Sequence, residues 1–102
     1  NIGLMRFDAW GHGGMVMQAV APSETNRAAT NAQVTAMVAS GTTPLAETFY
    51  EAALYLRGDP VFFGNNTRIH TGAITPSVPA SRDSGNPARY QSYIQSNCQT
   101  NF

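Results

Sequence analysis

The chain has no lysine. Its six arginines are matched by six acidic residues, so the formal charge at neutral pH is zero and charged residues make up 12% of the whole. A surface that neutral gives no electrostatic footprint for a nucleic acid or an anionic membrane. No apolar run approaches the roughly 20 residues that cross a bilayer, so no membrane-spanning segment is expected. No basic-then-apolar signal segment opens the sequence. Cysteine occurs once, as Cys98, which reads either as a packed thiol or as half of a disulfide whose partner lies elsewhere. At 102 residues there is room for one domain at most. No nucleophile–base pair and no spaced set of metal ligands stands out, which argues against an enzyme.

Polar uncharged residues and a few periodic apolar stretches fill the space instead. Asn1 to Asp8 is short, largely apolar and uncharged until Arg6, and reads as a strand buried on both faces. Gly11-His12-Gly13-Gly14 is a turn cluster, and Gly14 to Val20 returns as a second strand, so the two form a β-hairpin at a sheet edge. Thr30-Asn31-Ala32-Gln33 fits a capping box that opens a helix ending near Ser40, with Val34, Met37 and Val38 as its apolar face. Residues 23–29 add at most a ragged first turn. Gly41 suits the positive φ of a helix C′ position, Thr43 an N-cap, and Pro44 a first helical turn. Leu45, Phe49, Ala52, Ala53 and Leu56 then mark one face of a second helix, which Arg57 and Gly58 close. The order is strand, strand, helix, helix, an α/β arrangement.

Past Gly58 the composition changes. Apolar residues number 29 of the first 58 but 13 of the 40 from Asp59 to Cys98, and the latter are scattered without period. Pro60, Pro76, Pro79 and Pro87 recur there and preclude long regular elements. Residues 59–97 therefore read as an irregular surface insertion, with Val61-Phe62-Phe63 as an apolar anchor and one short helix over 88–96. On this reading, removal of residues 65–85 leaves the sheet and helices standing. Asn65-Asn66-Thr67 matches a glycosylation acceptor, a weak signal. Two strands and two helices bury too little surface to offset about 1–2 kcal/mol of ordering entropy per residue. The missing strands are expected from flanking sequence or another chain.

The turn Gly41-Thr42-Thr43-Pro44-Leu45-Ala46-Glu47, and the helix it opens, ending Tyr50-Glu51-Ala52-Ala53-Leu54-Tyr55-Leu56-Arg57-Gly58, carry a resemblance. They resemble the von Willebrand factor A-type domain of the type IV pilus tip-associated adhesin and biogenesis family. Asn1-Ile2-Gly3-Leu4-Met5-Arg6-Phe7 is similar to a core strand of that domain, and the tail 98–102 to the start of a further one. The resemblance implies residues 1–58 as a partial doubly wound α/β core, and an extracellular, pilus-associated adhesion module. It also implies a metal ion-dependent adhesion site, where Mg²⁺ (or Mn²⁺ or Ca²⁺) is held by oxygen ligands from three loops, as suits a hard cation. Thr43 would be the threonine of the second loop, and the carboxylate-bearing loops would lie before Asn1 and after Phe102. Thr42 stands where many relatives have glycine, which leaves open which hydroxyl faces the metal. The ion is expected in the complete domain and not on this chain by itself. The expected partners are the remainder of the domain or another protein chain, pilus subunits among them. The alternative is a structural or accessory subunit of an extracellular filament.

The remaining polar residues carry less. Asp8, His12 and Asp59 could be drawn as a carboxylate–imidazole set, but His12 sits in a glycine-rich turn and reads as an exposed loop residue. His70 has no spaced partner for a metal. Glu47 and Glu51, at i and i+4, read as the solvated side of the second helix. Trp10 reads as a packed aromatic beside the hairpin turn, and Gly11 to Gly14 lacks the spacing of a phosphate-binding loop.

Overall fold

Two apolar stretches separated by glycines pair as expected. A computed structural model describes residues 1–93, and the expected strand at 98–102 and Cys98 lie outside the described residues. Strand β1 (Ile2–Phe7) pairs antiparallel with β2 (Gly14–Ala21). The register holds from Phe7↔Gly14 to Met5↔Val16, then slips twice, so β2 carries two more residues than β1 over the paired length. Such bulges bend and twist a ribbon. Two helices follow, α1 (Ser23–Ala36) and α2 (Leu45–Arg57). The described residues thus form a small mixed α/β structure of two antiparallel strands and two helices.

The N-cap of α1 is Pro22, eight residues before the Thr30 of the capping-box expectation. Pro22 opens the helix, its carbonyl accepting the Thr25 and Asn26 N–H groups at 3.0 Å. The alanine-rich run through Ala28, Ala29 and Ala32 favours helix over the whole stretch. Asn26 pins its first turn to the hairpin, with Nδ2 donating to the carbonyls of Ile2 and Ala19 and Oδ1 accepting from Gln18. Thr30 is therefore mid-helix, and its buried hydroxyl has no hydrogen-bond partner among the described residues. The helix also stops at Ala36, short of Ser40, because Met37 turns to an extended conformation.

Both helices orient opposite to their apolar stripes. In α2 the buried side chains are Glu51, Leu54 and Tyr55, whereas Leu45, Phe49 and Leu56 are exposed, Phe49 at 69%. In α1 the buried positions are Asn26 and Thr30, while Val34 faces outward; Val38, expected on the same face, is exposed in the loop beyond the helix end. Glu51, expected on the solvated side, is fully buried.

What covers the inner face of α2 is the segment 59–93. Val16, Leu54, Tyr55, Val61 and Tyr90 form the core, with Val78 and Tyr93 packed against it. Val78 N–H donates to the Val16 carbonyl at 2.9 Å, and Val16 N–H donates to Ser77 Oγ at 2.9 Å, so this segment also covers the outer edge of β2. Buried Thr67, Ser77 and Ser81 each hydrogen-bond, to the Thr75 carbonyl, Tyr90 and Val16, and the Val78 carbonyl respectively. A surface insertion does not describe these residues: they wrap the strand–helix unit and complete its interior. Their lack of period follows from being held by isolated bridges, Pro60↔Arg89, Arg68↔Ile74 and Arg82↔Tyr90, and by short turns. The expected helix over 88–96 is absent from its described part, where Arg89 and Tyr90 sit in bridges.

Candidate functional site

The loop 37–44 carries the residues with the most open chemistry. Gly41 has φ 99°, and a side chain there would collide with the backbone of Ala9. Its left-handed conformation thus serves close packing of this loop on the turn after β1, five residues beyond the end of α1 rather than as that helix's C′ residue. Beside it, Thr42 Oγ1 donates to the Asp8 carbonyl at 3.4 Å. Thr43 is exposed, and its hydroxyl engages no group among the described residues.

Thr43 does not cap α2. Pro44 occupies the N-cap position without any side-chain cap bond, and the Thr43 carbonyl accepts the Leu45 N–H at 2.8 Å. Pro44 thus stands one position earlier than a first-turn proline, and its carbonyl takes both the N–H and the hydroxyl of Thr48. At the other end Gly58, φ 72°, closes the helix as expected. A cavity of about 360 Å³ lies against this loop, lined by Arg6, Phe7 and residues 37–43. Among the described residues no carboxylate lines it.

The donor set settles what the described residues could hold. Thr43 presents one free oxygen and Thr42 one engaged oxygen, and among the described residues no three His, Cys, Asp or Glu side chains gather. One or two hydroxyls fit a position in an octahedral oxygen shell. They do not make the shell, so an ion here needs carboxylates from outside this segment.

Asp8 is close to this loop but spent on structure. Its Oδ2 accepts the N–H groups of Trp10 and His12 at 2.8 and 2.9 Å, and its Oδ1 accepts the Arg68 N–H. Ala9 N–H returns to the Arg68 carbonyl at 2.9 Å, so the carboxylate staples the hairpin tip to the 59–93 segment. Burial pushes its pKa up, but the three backbone donors outweigh that and hold it below 3.8. The imidazole of His12 projects from an exposed residue, and Asp59 belongs elsewhere, pairing with Arg57 at 3.0 Å and Arg89 at 3.7 Å. The three do not form a set. Trp10 is exposed, with the Arg68 guanidinium 5.4 Å from its ring centre, and is not a packed edge aromatic. His70 is exposed as well.

A second constellation escaped the sequence reading. Glu51 Oε1 accepts the Tyr90 hydroxyl, which also meets Ser77 Oγ at 2.9 Å, and Glu51 Oε2 accepts the Phe63 N–H at 2.8 Å. Phe62 N–H adds a longer bond of 3.3 Å. Burial first, and the bond to Glu51 second, raise the Tyr90 pKa above its ordinary value of 10. Gly64 has no room for a side chain, since a Cβ would overlap Tyr90 Oη, Ser77 Oγ and Glu51 Oε1. This is a sealed, satisfied cluster that orders the backbone at Phe62-Phe63. A signal existed in the sequence: Glu51 lies between Tyr50 and Leu54-Tyr55 on the helix face opposite Leu45 and Phe49. It was masked by the assumption that carboxylates face water.

No protein-family model matches this chain, and no curated protein and no solved structure is significantly similar to it.

Proposed function

We propose that this chain is part of an A-type α/β binding module, extracellular and associated with type IV pili, in which Thr43 contributes one hydroxyl to a divalent cation. The observation that carries this reading is the Thr43 side chain: exposed, unengaged among the described residues, and released from helix capping, on a loop packed against the turn that follows β1. The carboxylates of the ion's shell and the partner's own ligand come from polypeptide outside the segment. Two further features support an incomplete layer. Among the described residues β1 pairs with β2 alone, and α2 turns the apolar side chains of Leu45, Phe49 and Leu56 outward. Adding strands beside β1 and a neighbour over Leu45, Phe49 and Leu56 would give the doubly wound arrangement that the turn sequence resembles.

Titration calorimetry with Mg²⁺ or Mn²⁺, on a protein carrying this chain with its flanking sequence, tests the reading. Binding that Thr43→Ala weakens by about tenfold or more, without loss of folded structure, supports it; unaltered affinity removes Thr43 from the site. A second reading, an accessory subunit of an extracellular filament, is favoured by the same exposed stripe of Leu45, Phe49 and Leu56. Mixed polymer formation that Phe49→Lys abolishes, with no cation requirement, would favour that alternative.

A further inference from the structure

Three aromatic rings meet at a corner between α2 and the turn that follows it. Tyr50 makes edge contacts with Phe62 and Phe63 at centroid distances of 6.0 and 6.3 Å, and Phe62 meets Phe63 at 4.8 Å. The interplanar angles are 88°, 81° and 88°, so the rings stand mutually perpendicular, as the walls of a box corner. With Ala46 and Glu47 they line a cavity of about 360 Å³. Tyr50 and Phe62 are 52% and 62% exposed, which leaves a substantial aromatic surface facing solvent.

We propose that this corner receives a quaternary ammonium group, the trimethylammonium head of a choline-type small molecule. Ring faces attract cations, and perpendicular walls bring several faces to one spherical head. Glu47, one helical turn before Glu51, supplies the opposing charge, and it forms no ion pair with any described residue. The choice of a methylated over a primary ammonium follows from the donors and acceptors present. A primary ammonium brings three N–H donors that each need an acceptor. Apart from the Glu47 carboxylate and the Tyr50 hydroxyl the corner is aromatic and aliphatic, whereas a trimethylammonium has no N–H to satisfy.

The corner is also preorganised. Glu51, fully buried, accepts both the Phe62 and Phe63 N–H groups and so fixes the backbone bearing two of the walls. Tyr50, the third, precedes Glu51 on the helix. Glu51 is a positioning residue here and does not touch the ligand. Fixing binding walls before the ligand arrives removes ordering cost from the association. The inference is independent of the cation at Thr43, and either can fail while the other stands.

The test is an NMR titration of the chain with choline, with its neutral carbon isostere 3,3-dimethyl-1-butanol, and with ethanolamine, following the ring resonances of Tyr50, Phe62 and Phe63. Choline should shift those resonances saturably and bind about tenfold or more tightly than either the neutral isostere or ethanolamine. Tyr50→Leu and Phe62→Leu, both at exposed positions, should each weaken choline about threefold to tenfold, and Glu47→Gln should weaken it in the same direction. Equal binding of the isostere would reduce the corner to an apolar notch and overturn the proposal. So would tighter binding of ethanolamine, or no shift with choline at millimolar concentration. Unchanged choline affinity in the two ring variants, with their amide spectra otherwise preserved, would overturn it as well.

Discussion

The Tyr90 hydroxyl donates to the Glu51 carboxylate at 2.5 Å across 39 residues of sequence, and both side chains are buried. This bond ties the middle of α2 to the far end of the irregular segment. Removing one partner leaves the other buried and under-satisfied, which costs more than the bond contributes. Tyr90→Phe should therefore destabilise the chain by about 1–3 kcal/mol in urea unfolding, and Glu51→Ala by at least as much. Leu56→Ala, on the exposed stripe, should stay within about 0.5 kcal/mol. A costly Leu56→Ala beside a neutral Tyr90→Phe would mean that the faces of α2 are assigned the wrong way round.

Gly64→Ala should be destabilising by about 1–3 kcal/mol, because the added methyl enters the space shared by Tyr90 Oη, Ser77 Oγ and Glu51 Oε1. Thermal unfolding checks this, with Gly85→Ala as the comparison, since Gly85 is exposed and meets nothing closer than Asp83 Oδ1 at 3.4 Å.

Deletion of residues 65–85 should unfold the chain. This reverses what composition suggests, because the deleted stretch contains Thr67, Ser77 and Ser81, all buried, and Val78, which bonds the edge of β2. Circular dichroism and amide dispersion would show the loss; a deletion variant retaining the hairpin and both helices would restore the insertion reading.

The element order was legible in the sequence because it rests on local signals. Glycines 11, 13 and 14 break the hairpin where the chain turns, and Gly58 closes α2 in the left-handed conformation. The start of α1 was misplaced because Thr30-Asn31-Ala32-Gln33 carries a strong local cap signal, whereas tertiary bonds from Asn26 to both strands decide the boundary. Helix orientation was illegible for a similar reason. A stripe such as Leu45–Phe49–Leu56 says which residues avoid water, not which neighbour is present to cover them. Glu51 went unread because its three donors come from residues 11 to 39 positions away. Thr43 was legible as a loop hydroxyl, and its freedom from capping was not, since Pro44 takes the N-cap position itself.

Asp8 gives the chain an acid-sensitive contact. Its folded pKa lies below 3.8, so its contribution is fully present above the unfolded value and fades as pH falls through the folded one. Asp8→Asn puts an N–H₂ where backbone N–H groups point, and should cost about 1–3 kcal/mol at neutral pH. As the pH falls through the folded value, the gap between wild type and variant should narrow. A gap that is constant from neutral to acid would show that the charge of Asp8 is not what the three backbone donors recognise.

Thr43→Ala should leave stability nearly unchanged, within about 0.5 kcal/mol, because no cap bond is lost. The most direct test of its proposed role uses Mn²⁺ as a paramagnetic reporter, on a protein carrying this chain with its flanking sequence. Stoichiometric Mn²⁺ should broaden the amide resonances of Thr42, Thr43 and Leu45 before any others in this segment, and Thr43→Ala should abolish that broadening. Broadening centred elsewhere, or none at these three residues, would contradict a cation held at the head of α2.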